Sequence, residues 1–256
     1  MNRPRYNIVS STRQGTFIVN RHDLGVGWQL ARNGAYDPDE MVMLQSLVTC
    51  LARDDLVVLD IGANIGVHAV CLAEMVGPRG RVHSFEAQRI IFNMLAGNVA
   101  LNSLENVFCH HAAVGAAPGK LEIPQFDYGR PLSFGSVEFG ERQVEPIGQD
   151  RRHAPDAAEF VRVVTVDGLD LPVVHLMKID VEGMELDVIE GATETIRRDQ
   201  PVLFVEYLKG DRPRLAARLL DEGYRLFIHR HNWLCLPRGS RIEAKGAREI
   251  TSVTQC

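Results

Sequence analysis

Asp60-Ile-Gly-Ala-Asn-Ile-Gly66 decides how this chain is read. The apolar run Leu56-Val57-Val58-Leu59 enters it, and the helical pattern from Val67 to Glu74 leaves it. A strand, a glycine turn and a helix in that order begin a βα unit that takes a nucleotide-like ligand at the carboxyl end of its first strand. Gly62 and Gly66 let the backbone turn sharply and let a ligand approach where a Cβ would intrude. The spacing excludes a dinucleotide fold, because the places that need further glycines hold Asn64 and Val67. No phosphate-anchoring Lys follows, so this is not a P-loop.

An acidic residue closing a strand, followed by Gly-x-x-x-Gly, resembles the first motif of S-adenosylmethionine (SAM)-dependent methyltransferases. Asn64 stands where that motif usually carries a middle glycine. Arg81-Val-His-Ser-Phe-Glu86 reads as the next strand, with an acid at its tip twenty positions beyond Gly66. A carboxylate there accepts hydrogen bonds from both ribose hydroxyls of an adenosine. The alternative is that Glu86 only supports the helix after it, since acids favour helix N-termini. The glycine turn upstream favours ribose.

At 256 residues, with 45% hydrophobic and 24% charged content, the chain is a globular protein long enough to bury a full core. A net charge of −5 and a pI near 6.0 leave no electrostatic footprint for nucleic acid. The five cysteines show no C-x-x-C spacing. Cys50, Cys71 and Cys109 fall in helix or strand patterns and are expected as buried free thiols in a reducing compartment. The start, Met1 to Tyr6, has no apolar signal region, and no run approaches the length of a membrane span. The expectation is a cytoplasmic protein.

Residues 1–36 read as a β-rich N-terminal cap, with strands at Thr16–Asn20 and Gly27–Ala31. A helix over 37–51 follows, with Asp37 as N-cap, Pro38 at its first position and Glu40 completing a capping box. Residues 37–256 form the main domain. Strands at 56–60, 81–86 and 106–111 alternate with helices at 65–76 and 88–101. From 115 to 160 the rhythm breaks into an insertion expected to cover an acceptor pocket, and 150–159 is its most linker-like part. Strands at 161–165, 173–179 and 201–206 and helices at 184–198 and 213–222 follow. A hairpin of 224–229 and 233–236 turns across His231-Asn232. The alternation predicts an α/β fold with a mostly parallel sheet and right-handed crossovers.

Lys178-Ile-Asp-Val-Glu-Gly-Met-Glu-Leu-Asp-Val-Ile-Glu-Gly-Ala192 adds the most specific signature. Together with Asp60–Gly66, Phe85-Glu86 and Pro201-Val-Leu-Phe-Val-Glu206, it closely resembles the FkbM-type methyltransferases, from about Gly34 to about His229. The resemblance implies a Rossmann-like class I SAM-dependent methyltransferase fold whose C-terminal hairpin adds an antiparallel strand. It also implies SAM as cofactor and methylation of a hydroxyl on a sugar, glycolipid or polyketide-type metabolite. By the same resemblance Asp60, Gly62, Asn64, Gly66 and Glu86 fall at cofactor positions, and Tyr36 and Glu40 lie over the cofactor. Asp180, at the strand end where the methyl group would point, is a further cofactor-binding candidate. Phe-Glu-Ala replaces the common Phe-Glu-Pro, which leaves the carboxylate in place.

The chemistry gives carboxylates a purpose here. SAM carries a sulfonium cation, which acids at strand tips favour, and positioning supplies much of the acceleration of an in-line transfer. A hydroxyl keeps its proton at pH 7, so a base or a metal must help remove it. Asp180, Glu182, Glu206 and His231 are the candidates, Asp180 and Glu182 with helix N-capping as their structural alternative. His229 is a lesser one. Of His110 and His111, at most one faces a ligand, and His68 and His83 read as packing residues. A carboxylate or His base acting alone is preferred to Mg²⁺ held by carboxylates, because no carboxylate pair of dedicated spacing is present. No Asn/Asp-Pro-Pro-aromatic segment and no Pro-Cys dipeptide occur, which argues against nucleic-acid methylation. The expected partner is a small-molecule or sugar acceptor. A SAM-binding module without catalysis and a small-molecule N-methyltransferase are the alternatives.

Overall fold

A computed structural model describes residues 5–139, 143, 145–150, 159–244 and 246–255. The chain opens with the hairpin β1 (Asn7–Thr12) and β2 (Gly15–Asn20), then α1 (Val26–Asn33) and α2 (Pro38–Leu51). The first alternation is β3 (Val57–Ile61), α3 (Val67–Val76), β4 (Arg81–Glu86), α4 (Arg89–Leu101) and β5 (Val107–His111). Short strands β6 (Ala113–Val114), β7 (Gly119–Ile123) and β8 (Glu159–Val164) come next. The second alternation is β9 (Leu176–Ile179), α5 (Glu185–Glu190), α6 (Thr193–Asp199), β10 (Val202–Glu206) and α7 (Arg212–Asp221). The hairpin β11 (Tyr224–His229) and β12 (Asn232–Pro237) and the edge strand β13 (Glu249–Ile250) finish it.

Every residue of β3 and of β9 is buried, as expected for strands covered by helices on both faces. They lie at the centre of an eight-stranded sheet ordered β13-β11-β12-β10-β9-β3-β4-β5. β10, β9, β3, β4 and β5 run parallel, and β12 enters antiparallel between β10 and β11. This is the Rossmann-like methyltransferase arrangement, mostly parallel with one antiparallel hairpin strand inserted. The order reverses at β3, with β4 on one side and β9 on the other, so a crevice opens at their carboxyl ends.

Several local expectations are corrected. Gly27–Ala31 is not a strand but part of α1, whose buried Val26 and Leu30 are spaced for a helix while Trp28 stays exposed. Asp37 precedes α2 in a left-handed conformation (φ 37°) and makes no side-chain cap bond, and Glu40 turns away from it to His68 and Asn232. The expected helix 184–198 breaks at Gly191, where a Cβ would lie 2.1 Å from the Gly115 carbonyl oxygen. α6 then restarts with the Asp167 carboxylate accepting the N–H groups of Glu194 (3.0 Å) and Thr195 (2.8 Å). The last hairpin turns at Arg230-His231, since His229 pairs with Asn232. Cys50 is exposed, whereas Cys71 and Cys235 are buried. From the 115–160 segment, β7 and the first residues of β8 join β6 in a small sheet, β6-β8-β7, and residues 140–142, 144 and 151–158 lie outside the described residues.

The N-terminal hairpin docks through amides. Asn98 and Asn102, one turn apart on α4, act as a substitute strand edge for β2. Thr16 N–H donates to Asn102 Oδ1 (2.9 Å), Asn102 Nδ2 to Thr16 O (2.8 Å) and Ile18 N–H to Asn98 Oδ1 (2.5 Å). Gln14, in the hairpin turn, grips the Tyr36 backbone, accepting its N–H (2.6 Å) and donating to its carbonyl (2.7 Å). No helix among the described residues is long and apolar enough to cross a membrane.

Candidate active site

The glycine turn after β3 is built first for the chain itself. Gly62 has φ 84°, and a Cβ there would sit 1.7 Å from the backbone oxygen of Asp180. Its N–H and that of Ala63 both donate to Phe85 O (3.0 and 2.8 Å), which ties the turn to β4. A Cβ on Gly66 (φ 88°) would meet Leu95 Cδ1 at 2.6 Å, so this glycine lets α4 close on the turn. Asn64 also has a left-handed backbone (φ 51°), which Asn tolerates better than most residues, and its Oδ1 accepts Ile65 N–H at 2.7 Å. That conformation explains how it replaces a glycine.

Above the turn, at the carboxyl ends of the central strands, lies a cavity of about 300 Å³. Gly62 to Ile65, Phe85 to Gln88 and Ala112 to Val114 line one part, and Lys178, Asp180, Glu182 and Glu206 line another. Tyr36, the start of α1, Ser133 and Gly135 to Val137 also contribute, so the N-terminal unit and the 115–160 segment both reach it. Glu86, at the tip of β4, is 6% exposed. Its carboxylate accepts Gln88 N–H (2.7 Å) and Asn64 N–H (3.0 Å), and its remaining lone pairs are available to a ligand. Burial outweighs those bonds and pushes its pKa up to about 7. It therefore supports the start of α4 and lines the cavity at once.

The other wall is a network of buried charge. Lys178 lies 3.4 Å from Asp180 and 3.8 Å from Asp60. Burial works to lower its pKa, but Asp180, Asp60 and Glu40 outweigh burial and leave it raised. Asp60 is fully buried, has no hydrogen-bond partner among the described residues, and does not line the cavity. Glu182 pairs with Lys209, whose Nζ also lies 3.3 Å from Glu145 of the 115–160 segment. Burial raises the pKa of Glu182, Asp180 raises it further, and Lys209 opposes both. Burial, then Asp180, Glu182 and Glu185, raise that of Glu206, whose Oε2 has no hydrogen-bond partner among the described residues. Neither Asp180 nor Glu182 caps α5, which has no side-chain cap; Glu185 instead accepts the N–H groups of Val181 and Gly183 at 3.1 Å and so holds the turn ahead of the helix.

A family model described as the methyltransferase FkbM domain matches residues 60–226. The chain belongs to the FkbM methyltransferase family. It is similar to the hexuronic acid methyltransferase AglP of Haloferax volcanii, at 29% identity over 177 residues. That match covers 67% of this chain and 64% of the archaeal protein, so the chain spans a little under two thirds of that relative's length. It is 25% identical over 191 residues to Methyltransferase 1 of Beauveria bassiana, covering 70% of this chain and 76% of that one. A crystal structure of an FkbM methyltransferase from Methylobacillus flagellatus KT aligns at 19% identity and TM-score 0.47, covering 71% of this chain and 42% of that one.

Within this FkbM chain the residues singled out by sequence divide clearly. Tyr36, Gly62, Asn64, Glu86, Asp180, Glu182 and Glu206 line the cavity, and Asp60, Gly66 and His231 do not. Gly66 acts through packing and Asp60 through Lys178. His231 is exposed in the β11–β12 turn, where its carbonyl accepts Tyr207 N–H at 3.1 Å. His229 Nε2 is buried with no hydrogen-bond partner among the described residues, and its ring lies 5.8 Å from that of Phe204. His110 stacks on Phe85 (4.5 Å), His111 hydrogen-bonds with Ala87 O (3.2 Å), and neither reaches the cavity.

His68 is the reverse case. Expected to pack, it lines the cavity and hydrogen-bonds with Glu40 at 3.1 Å. Glu40 is largely buried, which alone would raise its pKa, but His68, Lys178 and Asn232 bring it down to about 2. The Tyr36 hydroxyl, raised by burial and by Asp180 and Glu40, keeps its proton. Sequence reading gave no role to Lys178 or Lys209. A lysine inside the apolar strand Leu176-Met177-Lys178-Ile179 was the available signal, since a buried ammonium requires carboxylate partners. Among the described residues no group of three or more His, Cys, Asp or Glu side chains is arranged to hold a metal ion.

Proposed function

We propose that this protein transfers a methyl group from SAM to a hydroxyl oxygen of a sugar or another small metabolite. The observation that carries the reading is a single cavity with Glu86 at one end and the carboxylates of Asp180, Glu182 and Glu206 at the other. The lining fits SAM: Glu86 has lone pairs for two ribose hydroxyls, Phe85 and Ala112 to Val114 offer apolar surface to a base, and the acids suit a cation. SAM, when bound, supplies an electrophilic methyl on a positively charged sulfur. The protein then orients an acceptor, excludes water beneath the 133–137 turn, and removes the hydroxyl proton. Glu206 is the base in this reading, because it lines the cavity with an oxygen, Oε2, that has no hydrogen-bond partner among the described residues. A sugar acceptor is favoured by the similarity to a hexuronic acid methyltransferase.

The test is a screen with methyl-labelled SAM against neutral sugars, uronic acids and polyketide-type alcohols. The expected product is a methyl ether, formed equally well after EDTA treatment and slowed about 10²–10⁴-fold by Glu206→Gln, as for loss of a general base. Label appearing on nitrogen would replace the reaction with N-methylation. Activity lost to EDTA and restored by Mg²⁺ would replace the carboxylate base with a metal.

A further inference from the structure

Among the described residues that line the cavity, the carboxylates of Glu86, Glu145, Asp180, Glu182 and Glu206 outnumber the lysines Lys178 and Lys209. Each lysine on its wall already bridges two carboxylates: Lys178 lies between Asp180 and Asp60, and Lys209 between Glu182 and Glu145. Glu206 has no cation within ion-pair distance among the described residues, and its Oε2 is buried without a hydrogen bond. The charged and titratable groups facing it come from every neighbouring element. Among the described residues those that act on it most are Asp180 and Glu182 in the turn after β9, Glu185 on α5 and Lys209 after β10, and it acts in turn on Tyr36 ahead of α2. Three of these repel a negative Glu206, Tyr36 is neutral, and the one cation is turned to another carboxylate. With no ligand bound, a proton on Glu206 is the cheapest relief, and burial acts in the same direction.

We infer that the positive charge of the methyl donor ionises Glu206, so that the base exists only while SAM is bound. The inference rests on the methyltransferase reading above. A cation entering beside Asp180 and Glu206 takes the electrostatic place of the proton, which leaves to solvent. The carboxylate then accepts the proton of the acceptor hydroxyl as the oxygen–methyl bond forms and the sulfur–methyl bond breaks. That bond's electron pair stays on sulfur, which becomes neutral. The products are a methyl ether, uncharged S-adenosylhomocysteine (SAH) and protonated Glu206. Charge balances, and the protein returns to the protonation state that it held before the donor arrived. Without SAM Glu206 keeps its proton, so it does not deprotonate an acceptor that binds first.

SAM and SAH differ at this point by one charge and one methyl group, which makes them the probes. Each is titrated into the protein by calorimetry at pH 7.5, in buffers of different ionisation enthalpy. SAM is expected to release roughly 0.5–1 proton per chain and SAH much less. The SAM dissociation constant should tighten with rising pH by up to about tenfold per unit until Glu206 is ionised in the free protein, while that of SAH stays nearly flat. Glu206→Gln should bind both ligands and abolish the difference in proton release. Equal release for SAM and SAH in the unaltered protein overturns the inference, and so does a difference that survives in Glu206→Gln. If that variant fails to fold, the comparison in the unaltered protein decides. A chain that binds neither ligand contradicts the methyltransferase reading itself, and this inference falls with it.

Discussion

Gly62 and Gly77 both adopt left-handed backbone, at φ 84° and 73°, but their surroundings differ completely. A Cβ at Gly77 meets nothing within 4 Å, whereas at Gly62 it would overlap the Asp180 carbonyl. Gly77→Ala should therefore cost only backbone strain, about 1–3 kcal/mol, since φ 73° with ψ −179° is a conformation essentially confined to glycine. Gly62→Ala should lose more than about 4 kcal/mol or fail to fold, because the obstruction is main chain on both sides. Thermal melts of the two variants check this, and equal losses would mean that the β3 and β9 turns are not in contact. Sequence alone singles out Gly62 for a sharp turn and for a ligand's approach, and the structure adds a main-chain contact with Asp180. The contact that explains it joins residues 118 positions apart in the chain, which no local pattern records. Glu86 was legible for the opposite reason: strand periodicity fixes which residue ends β4, and the end of that strand is where the crevice opens.

At the scale of elements, the order of strands and helices through the central sheet was readable because burial on both faces leaves uninterrupted apolar runs. The N-terminal unit was less so, since Gly27-Trp28-Gln29-Leu30-Ala31 alternates like a strand and only its packing selects a helix. Docking of β2 on α4 was invisible, because an asparagine on a helix carries no sign of its partner. Asn98 is fully buried and serves Ile18 and Ile65 together. Asn98→Ala should leave those backbone groups unpaired and cost about 2–4 kcal/mol. Limited proteolysis should then cut within 12–20 faster than within α4. Protection equal to that of the unaltered protein would show that the amide does not hold the hairpin.

For the whole molecule, the buried carboxylates set how stability varies with pH. Glu206 has its pKa raised in the folded protein, chiefly by burial, from an ordinary value of 4.5. The folded state thus holds a proton that the unfolded chain has released, and stability falls as pH rises above about 4.5. Glu40 acts with the opposite sign: with a folded value of about 2, its contribution is present above about 4.5 and disappears as pH falls towards 2. Glu206→Gln should accordingly melt near the unaltered protein at pH 5 and several degrees higher at pH 8, for a gain on the order of 1–3 kcal/mol. A variant less stable at pH 8 than at pH 5, relative to the unaltered protein, would reverse the assignment. These couplings join β9, β10, α2 and the 115–160 segment, and so could not be read from any one stretch of sequence. The central claim, that this cavity takes SAM with Glu86 on its ribose, is tested most directly by calorimetric titration of SAM into the unaltered protein and into Glu86→Ala. The account predicts binding that weakens by about 1.5–3 kcal/mol in the variant, the range for hydrogen bonds to a charged group. Unchanged affinity in a folded Glu86→Ala protein would contradict it.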